Sequence, residues 1–305
     1  PFGPGLALGL GEDCFAASAA GAALGLLLHG FGALSLQSIC LLCGLGAIVA
    51  GRWLWPGRFL PAAAAGGAAL ACSAFCLSLG AEGGGVELLL FCGADALLAG
   101  ANALVANYGD TRLTRCFSEA TSRTAAGEIL EIAAQRRVDS SSADYEDMVR
   151  GKTAWLIRAA CEMGALAAGA DVAAVAAAAT YGENLGMAFQ MVDDALDFAP
   201  ESVTGKPTGG DVREGKLTPP LRLYRDSLSA EERSAFDAAF CAGLMTEADA
   251  ASIAESIRQA GYDDAVRRQA DEFLDAARQA LETLPDRPER ELMRQMADYV
   301  RDRKK

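Results

Sequence analysis

The stretch Phe189-Gln190-Met191-Val192-Asp193-Asp194-Ala195-Leu196-Asp197-Phe198 sets three carboxylates and an amide inside an otherwise apolar helical pattern. On a helix, residues four apart lie one above the other, so Asp193 and Asp197 share a face. Gln190 sits one turn earlier on that stripe, and Asp194 is offset by one residue toward its edge. The apolar neighbours Phe189, Met191, Val192, Leu196 and Phe198 predict a largely buried helix. A solvated acidic face is the plainer alternative, but exposed faces do not alternate with Phe, Met, Val and Leu. Carboxylates held this close and away from water repel one another unless cations compensate them. Hard oxygens on a rigid helix suit Mg²⁺, which takes one or two carboxylates and fills its other positions with waters and substrate phosphates.

Cations for a phosphate lie on both sides of this helix. Upstream, Lys152-Thr153-Ala154 opens a helical segment that continues through Trp155, Leu156 and Ile157 to Leu166. Downstream, Pro and Gly end the helix, and a Gly-rich loop from Gly205 to Pro220 carries Lys206 and Lys216. In such a loop a lysine is a mobile point charge that can close over an anion. Each lysine alone would read as ordinary surface. Together with the acidic helix they read as a metal-plus-diphosphate site.

These motifs carry a family resemblance. K-T-A at 152–154, F-Q-x-x-D-D-x-x-D-F at 189–198 and G-K-P-x-G-x-D-x-R-E-G-K-x-T-x-P at 205–220 resemble the trans-prenyltransferases, the polyprenyl (isoprenyl) diphosphate synthase family. Three ordered motifs at matching spacing make the likeness specific, where D-D-x-x-D alone would be weak. It extends over residues 95–303, with Gly127-Glu128-Ile129-Leu130 near its start and Met296-Ala297-Asp298-Tyr299-Val300 near its end. The resemblance implies an all-α fold, a single-domain orthogonal helical bundle of the isoprenoid synthase type over residues 1–305. Within it, 95–305 is the family-like part and 1–94 is atypical.

The same resemblance implies a Mg²⁺-dependent transferase that condenses isopentenyl diphosphate with an allylic diphosphate. Asp193, Asp194 and Asp197 would be metal ligands, with Asp193, Asp194 and Lys152 the catalytic set. Lys152, Thr153, Gln190, Lys206 and Lys216 would bind substrate, with Asp211 and Arg213 supporting them. In the family the allylic diphosphate ionises to a carbocation, which isopentenyl diphosphate attacks before losing a proton. Charge developing on the leaving diphosphate is stabilised by metal ions and lysines, and apolar helices exclude water.

The first third departs from that pattern. Residues 1–94 carry only six charged side chains (Glu12, Asp13, Arg52, Arg58, Glu82 and Glu87) and six of the nine cysteines. No adjacent aspartates occur before Asp193, so the earlier aspartate motif and arginine pair of active members are not found. Gly57-Arg58-Phe59-Leu60-Pro61 is a faint echo of the family's basic segment, and Asp95-Ala96-Leu97-Leu98-Ala99 resembles its later G-D-x-L-L-A helix. Three readings compete: a prenyl-elongating enzyme, a non-catalytic partner subunit of a complete synthase, and the product of a damaged or frameshifted gene. By length alone 15–51 and 59–81 could each span a bilayer, yet their Gly and Ala content is weakly hydrophobic and no basic cluster orients them. Buried helices are favoured, and the start lacks the charged residues of a signal peptide.

Composition excludes other classes. A formal net charge of −13 with no basic stripe argues against nucleic acid. An odd, scattered set of nine cysteines reads as reduced thiols in a cytoplasmic protein rather than as a disulfide framework. Cys40-x-x-Cys43 and Cys72-x₃-Cys76 lie in apolar runs and read as small core residues, and His29, the single histidine, has no evident partner. The resemblance implies a homodimer, or a heterodimer with a related synthase. Helix starts are expected at the 139–142 loop, Ser229 and Thr246, long helical runs over 111–136 and 142–170, and a frayed tail over 301–305.

Overall fold

The computed structural model describes residues 98–205 and 207–303. The expectations for residues 1–97, including His29, the four paired cysteines and both apolar runs, lie outside the described residues, as does Lys206. Among the described residues every regular element is a helix, as the apolar spacing predicts. None of these helices is long and apolar enough to cross a membrane.

In chain order the helices are α1 (98–106), α2 (Thr111–Ala134), α3 (Ser142–Val149), a π-helical turn (Arg150–Ala154), α4 (Trp155–Ala167) and α5 (Val172–Leu196). Then come α6 (Glu201–Thr204), α7 (Gly210–Glu214), α8 (Pro219–Ser227), α9 (Ala230–Cys241), α10 (Glu247–Ala260), α11 (Tyr262–Leu281) and α12 (Pro288–Asp302). The starts follow from side chains that satisfy orphan N–H groups. Ser141, Ser229 and Thr246 each form a reciprocal capping box, with Asp144, Glu232 and Asp249 respectively. Asp171 accepts from the Ala174 amide at 2.8 Å to start α5. The run 142–170 is not one α-helix: the π turn inserts at 150–154, and Gly169, at φ +69°, follows the end of α4.

Contacts divide the described residues into two compact units. One comprises 98–120, Ile157–Ala179 and Arg287–Glu289, with a core of Ala101, Val105, Leu113, Phe117, Leu166 and Ala167. The other comprises Thr121–Leu156, Thr180–Asp286 and 290–303. Its core joins Phe198, Val212, Leu217, Leu221, Phe236, Phe240 and Ile257, so α7 to α10 and the loop between α7 and α8 share one interior. Burying each large apolar side chain contributes about 1.5–3 kcal/mol, against roughly 0–1 for an exposed ion pair. The apolar interior therefore fixes the Gly-rich segment. All the expected site residues that the structure describes belong to this second unit.

Candidate active site

The Lys152-Thr153-Ala154 turn is placed by two glycines. A Cβ on Gly127 of α2 would lie 2.1 Å from the Lys152 nitrogen, and one on Gly186 of α5 would lie 2.6 Å from the Ala154 Cα. Only glycine lets α2 and α5 approach this closely, and the backbone between them takes a π turn, a feature frequent at functional sites. Thr153 is fully buried there and donates from Oγ1 to Gln190 Oε1 at 2.9 Å. Gln190 Nε2 donates in turn to Asp194 Oδ1 at 2.8 Å, and Tyr145 of α3 donates its hydroxyl to Asp194 Oδ2 at 2.5 Å. One polar chain thus ties the lysine turn to the acidic helix.

The three aspartates have different surroundings. Asp194 is buried with both oxygens engaged; burial pushes its carboxyl up to about 7, against the opposing pull of the Tyr145 and Gln190 bonds. Asp197 accepts from the Gly210 and Asp211 amides at 3.1 and 2.9 Å, capping α7, and burial raises its pKa as well. Gly209, at φ +76° with the Ala250 carbonyl 2.9 Å from where a Cβ would stand, makes that tight entry. Asp193 gives Oδ1 to the Arg303 guanidinium at 2.9 Å and stays partly exposed. Behind Asp197, burial and then the Asp197 and Asp194 charges hold Asp211 well above the ordinary carboxylate range. Its buried Oδ2 has no hydrogen-bond partner. Arg213, the other expected supporting group, donates to the Thr208 carbonyl at 3.2 Å.

Two lysines meet one carboxylate. Lys152 pairs with Glu131 and, at 3.5 Å, with Glu128. Lys216 lies 2.7 Å from Glu214 and 3.7 Å from the same Glu131. Burial pulls the Lys216 ammonium down, but Glu131 and Glu214 outweigh it and hold its pKa above the usual lysine value. The Glu131 charge also contributes to raising Asp194, which sets the lysine pair and the acidic helix in one electrostatic field. Lys152, Thr153, Gln190, Asp193, Asp194 and Lys216 are therefore brought together. Asp197 faces the start of α7.

The donor chemistry fits a hard divalent cation. Asp193 is partly exposed beside its Arg303 partner, and Mg²⁺ needs only one or two protein carboxylates. No group of three or more His, Cys, Asp or Glu among the described residues is arranged to hold a metal ion. Three contributors lie outside the sequence motifs: Tyr145, Glu131 and Arg303, each on a segment distant from the acidic helix. Glu128 lies within the quoted Gly127-Glu128-Ile129-Leu130, but that motif gave it no role. Arg303 corrects the frayed-tail expectation: it is 4% exposed, because its guanidinium is paired with Asp193 and lies over Phe189.

The polyprenyl synthetase family model matches residues 91–257, which hold the acidic helix, Lys152 and the Gly-rich loop. The chain belongs to the polyprenyl synthetase family. It is 36% identical to heptaprenyl diphosphate synthase component 2 of Geobacillus stearothermophilus over 210 residues, 68% of this chain and 63% of that protein. The stretches matched in curated polyprenyl synthetase relatives cover 58% to 63% of their own length. A decaprenyl diphosphate synthase structure from Rhodobacter capsulatus superposes with a TM-score of 0.80 at 28% identity, covering 98% of each chain. A polyprenyl synthase structure from Caulobacter crescentus CB15, complexed with calcium and isoprenyl diphosphate, gives 0.77 at 30% identity over 88% of this chain and 84% of that one. The all-α isoprenoid synthase fold expected from the motifs is the fold of these polyprenyl synthetase neighbours.

Proposed function

We propose that this chain carries out metal-dependent prenyl transfer, lengthening an allylic diphosphate by condensation with isopentenyl diphosphate. The observation that carries the reading is the bonded chain from Thr153 through Gln190 to Asp194, which couples the Lys152 turn to the aspartate helix. Membership of the polyprenyl synthetase family and the isoprenyl diphosphate bound in the Caulobacter structure support it. Lys152 and Lys216 would release Glu131 to hold the diphosphate, and Lys206 would join them from the loop. Asp193, Asp194 and Asp197 would hold a divalent cation; Mg²⁺ suits these hard oxygens better than a softer metal. Such a cation stabilises negative charge on the leaving diphosphate. The allylic carbon–oxygen bond breaks, the alkene of isopentenyl diphosphate forms the new carbon–carbon bond, and a proton leaves the product. Buried Phe189, Met191 and Phe198 keep water from the helix that bears the aspartates.

A second reading has a specific support: two curated relatives are component 2 of a heptaprenyl synthase, a name that implies another component. In this reading the chain is a non-catalytic subunit that pairs with a complete synthase, and that partner supplies the aspartate motif that residues 1–94 lack. Cys116, Cys161 and Cys241 are free cysteines among the described residues, which supports a cytoplasmic setting. The test is incorporation of labelled isopentenyl diphosphate into geranyl or farnesyl diphosphate, with Mg²⁺, by the purified chain and by Asp193→Ala. Product that is metal-dependent and lost in the variant supports the enzyme. No product, with diphosphate binding retained, overturns it and favours the partner subunit.

A further inference from the structure

Arg303 is held on several sides. Its side chain is 3% exposed, and Nη2 meets Asp193 Oδ1 at 2.9 Å. Its guanidinium carbon stands 4.6 Å from the Phe189 ring centroid, and its backbone carbonyl accepts from Arg267 at 3.3 Å. Its neighbours Arg301 and Asp302 are exposed, so this residue alone of the three turns inward. Burying an arginine is costly unless a partner compensates its charge, and the aromatic face adds only a modest attraction. The Arg303 side chain is 3% exposed and that of Asp193 23%, so the carboxylate is the more accessible member of the pair.

Resting on the metal-site reading above, we propose that Arg303 is the resident counter-ion of the aspartate helix: a positioning residue that holds Asp193 and that a divalent cation must work against. Two effects oppose each other when the arginine is removed. Asp193 gains rotational freedom, which weakens cation binding, and the site loses a positive charge, which strengthens it. Freeing one short side chain is the smaller effect. One unit charge a few ångströms away changes the affinity by about fivefold to tenfold even at a water-like dielectric, so charge wins. Linkage is reciprocal, so cation binding loosens the Arg303 anchor to the same extent.

Mn²⁺ titration of the full chain, read by electron paramagnetic resonance, tests this. Asp193→Asn identifies the site by weakening it. Arg303→Gln is expected to bind Mn²⁺ about fivefold to tenfold more tightly, and Arg303→Lys, which keeps the charge, to stay within about twofold of the parent. An Arg303→Gln affinity equal to or below the parent's, or an Arg303→Lys affinity that follows Arg303→Gln, overturns the proposal alone. Mn²⁺ binding that is indifferent to Asp193→Asn overturns the metal-site reading and the proposal with it. Should Arg303→Gln not fold, hydrogen exchange on the unaltered chain decides. Amides of 296–303 that exchange faster with Mg²⁺ sustain the competition, and amides unchanged or slower overturn it.

Discussion

Asp194 carries its proton to near neutrality because burial opposes the charge more than Tyr145 and Gln190 favour it. The sign of the consequence follows. Between the ordinary carboxylate value of 3.8 and about 7, the folded chain binds a proton that the unfolded chain has released, so stability falls as pH rises through this window. For the metal-free protein we expect this group to contribute a loss on the order of 1 kcal/mol per pH unit. Asp194→Asn should flatten the slope in urea titrations between pH 4 and 7. An unchanged slope would place the proton elsewhere. Tyr145→Phe should lower stability by about 1–3 kcal/mol, because Asp194 Oδ2 would stay buried without its donor. A chemical denaturation midpoint unmoved by the variant would contradict the bond's role. The aspartates were legible because their spacing is local. Tyr145 was not, because it meets Asp194 across 49 positions, and periodicity within one helix carries no such pairing.

Among the elements, the π turn at Arg150–Ala154 shows what pattern reading reaches and misses. The helix starts at the 139–142 loop, at Ser229 and at Thr246 were legible because a cap is a four-residue signal whose chemistry is complete in itself. A π turn adds one residue to a helical turn without changing its apolar character, so 142–170 reads as one uninterrupted helix. What selects it is the contact of Gly151 and Lys152 with Gly127, a fact of packing. Gly127→Ala should therefore destabilise the chain by about 1–3 kcal/mol despite alanine's better helix propensity. It should also shift Lys152 from its place beside Glu131. Thermal denaturation checks the first effect, and a raised midpoint would show that the glycine is not needed for close approach.

At the scale of the whole molecule, the proposed function asks a chain with net charge −13 to bind an anion, and the second unit offers local cations for it. Lys152 and Lys216 are already drawn to one point by Glu131, and the aspartate helix lies in the same field. The all-α class and the candidate site were legible from three motifs, whereas the joining of their pieces through Glu131 and Arg303 depends on helices far apart in sequence. A diphosphate site built from Lys152 and Lys216 is tested by calorimetric titration of inorganic pyrophosphate into the full chain, with and without Mg²⁺, beside Lys152→Ala and Lys216→Ala. Binding is expected to strengthen with Mg²⁺ and to weaken by about tenfold in each variant, the loss of one charge-assisted contact. Pyrophosphate binding that ignores Mg²⁺ and both lysines, or no binding at all, would contradict it.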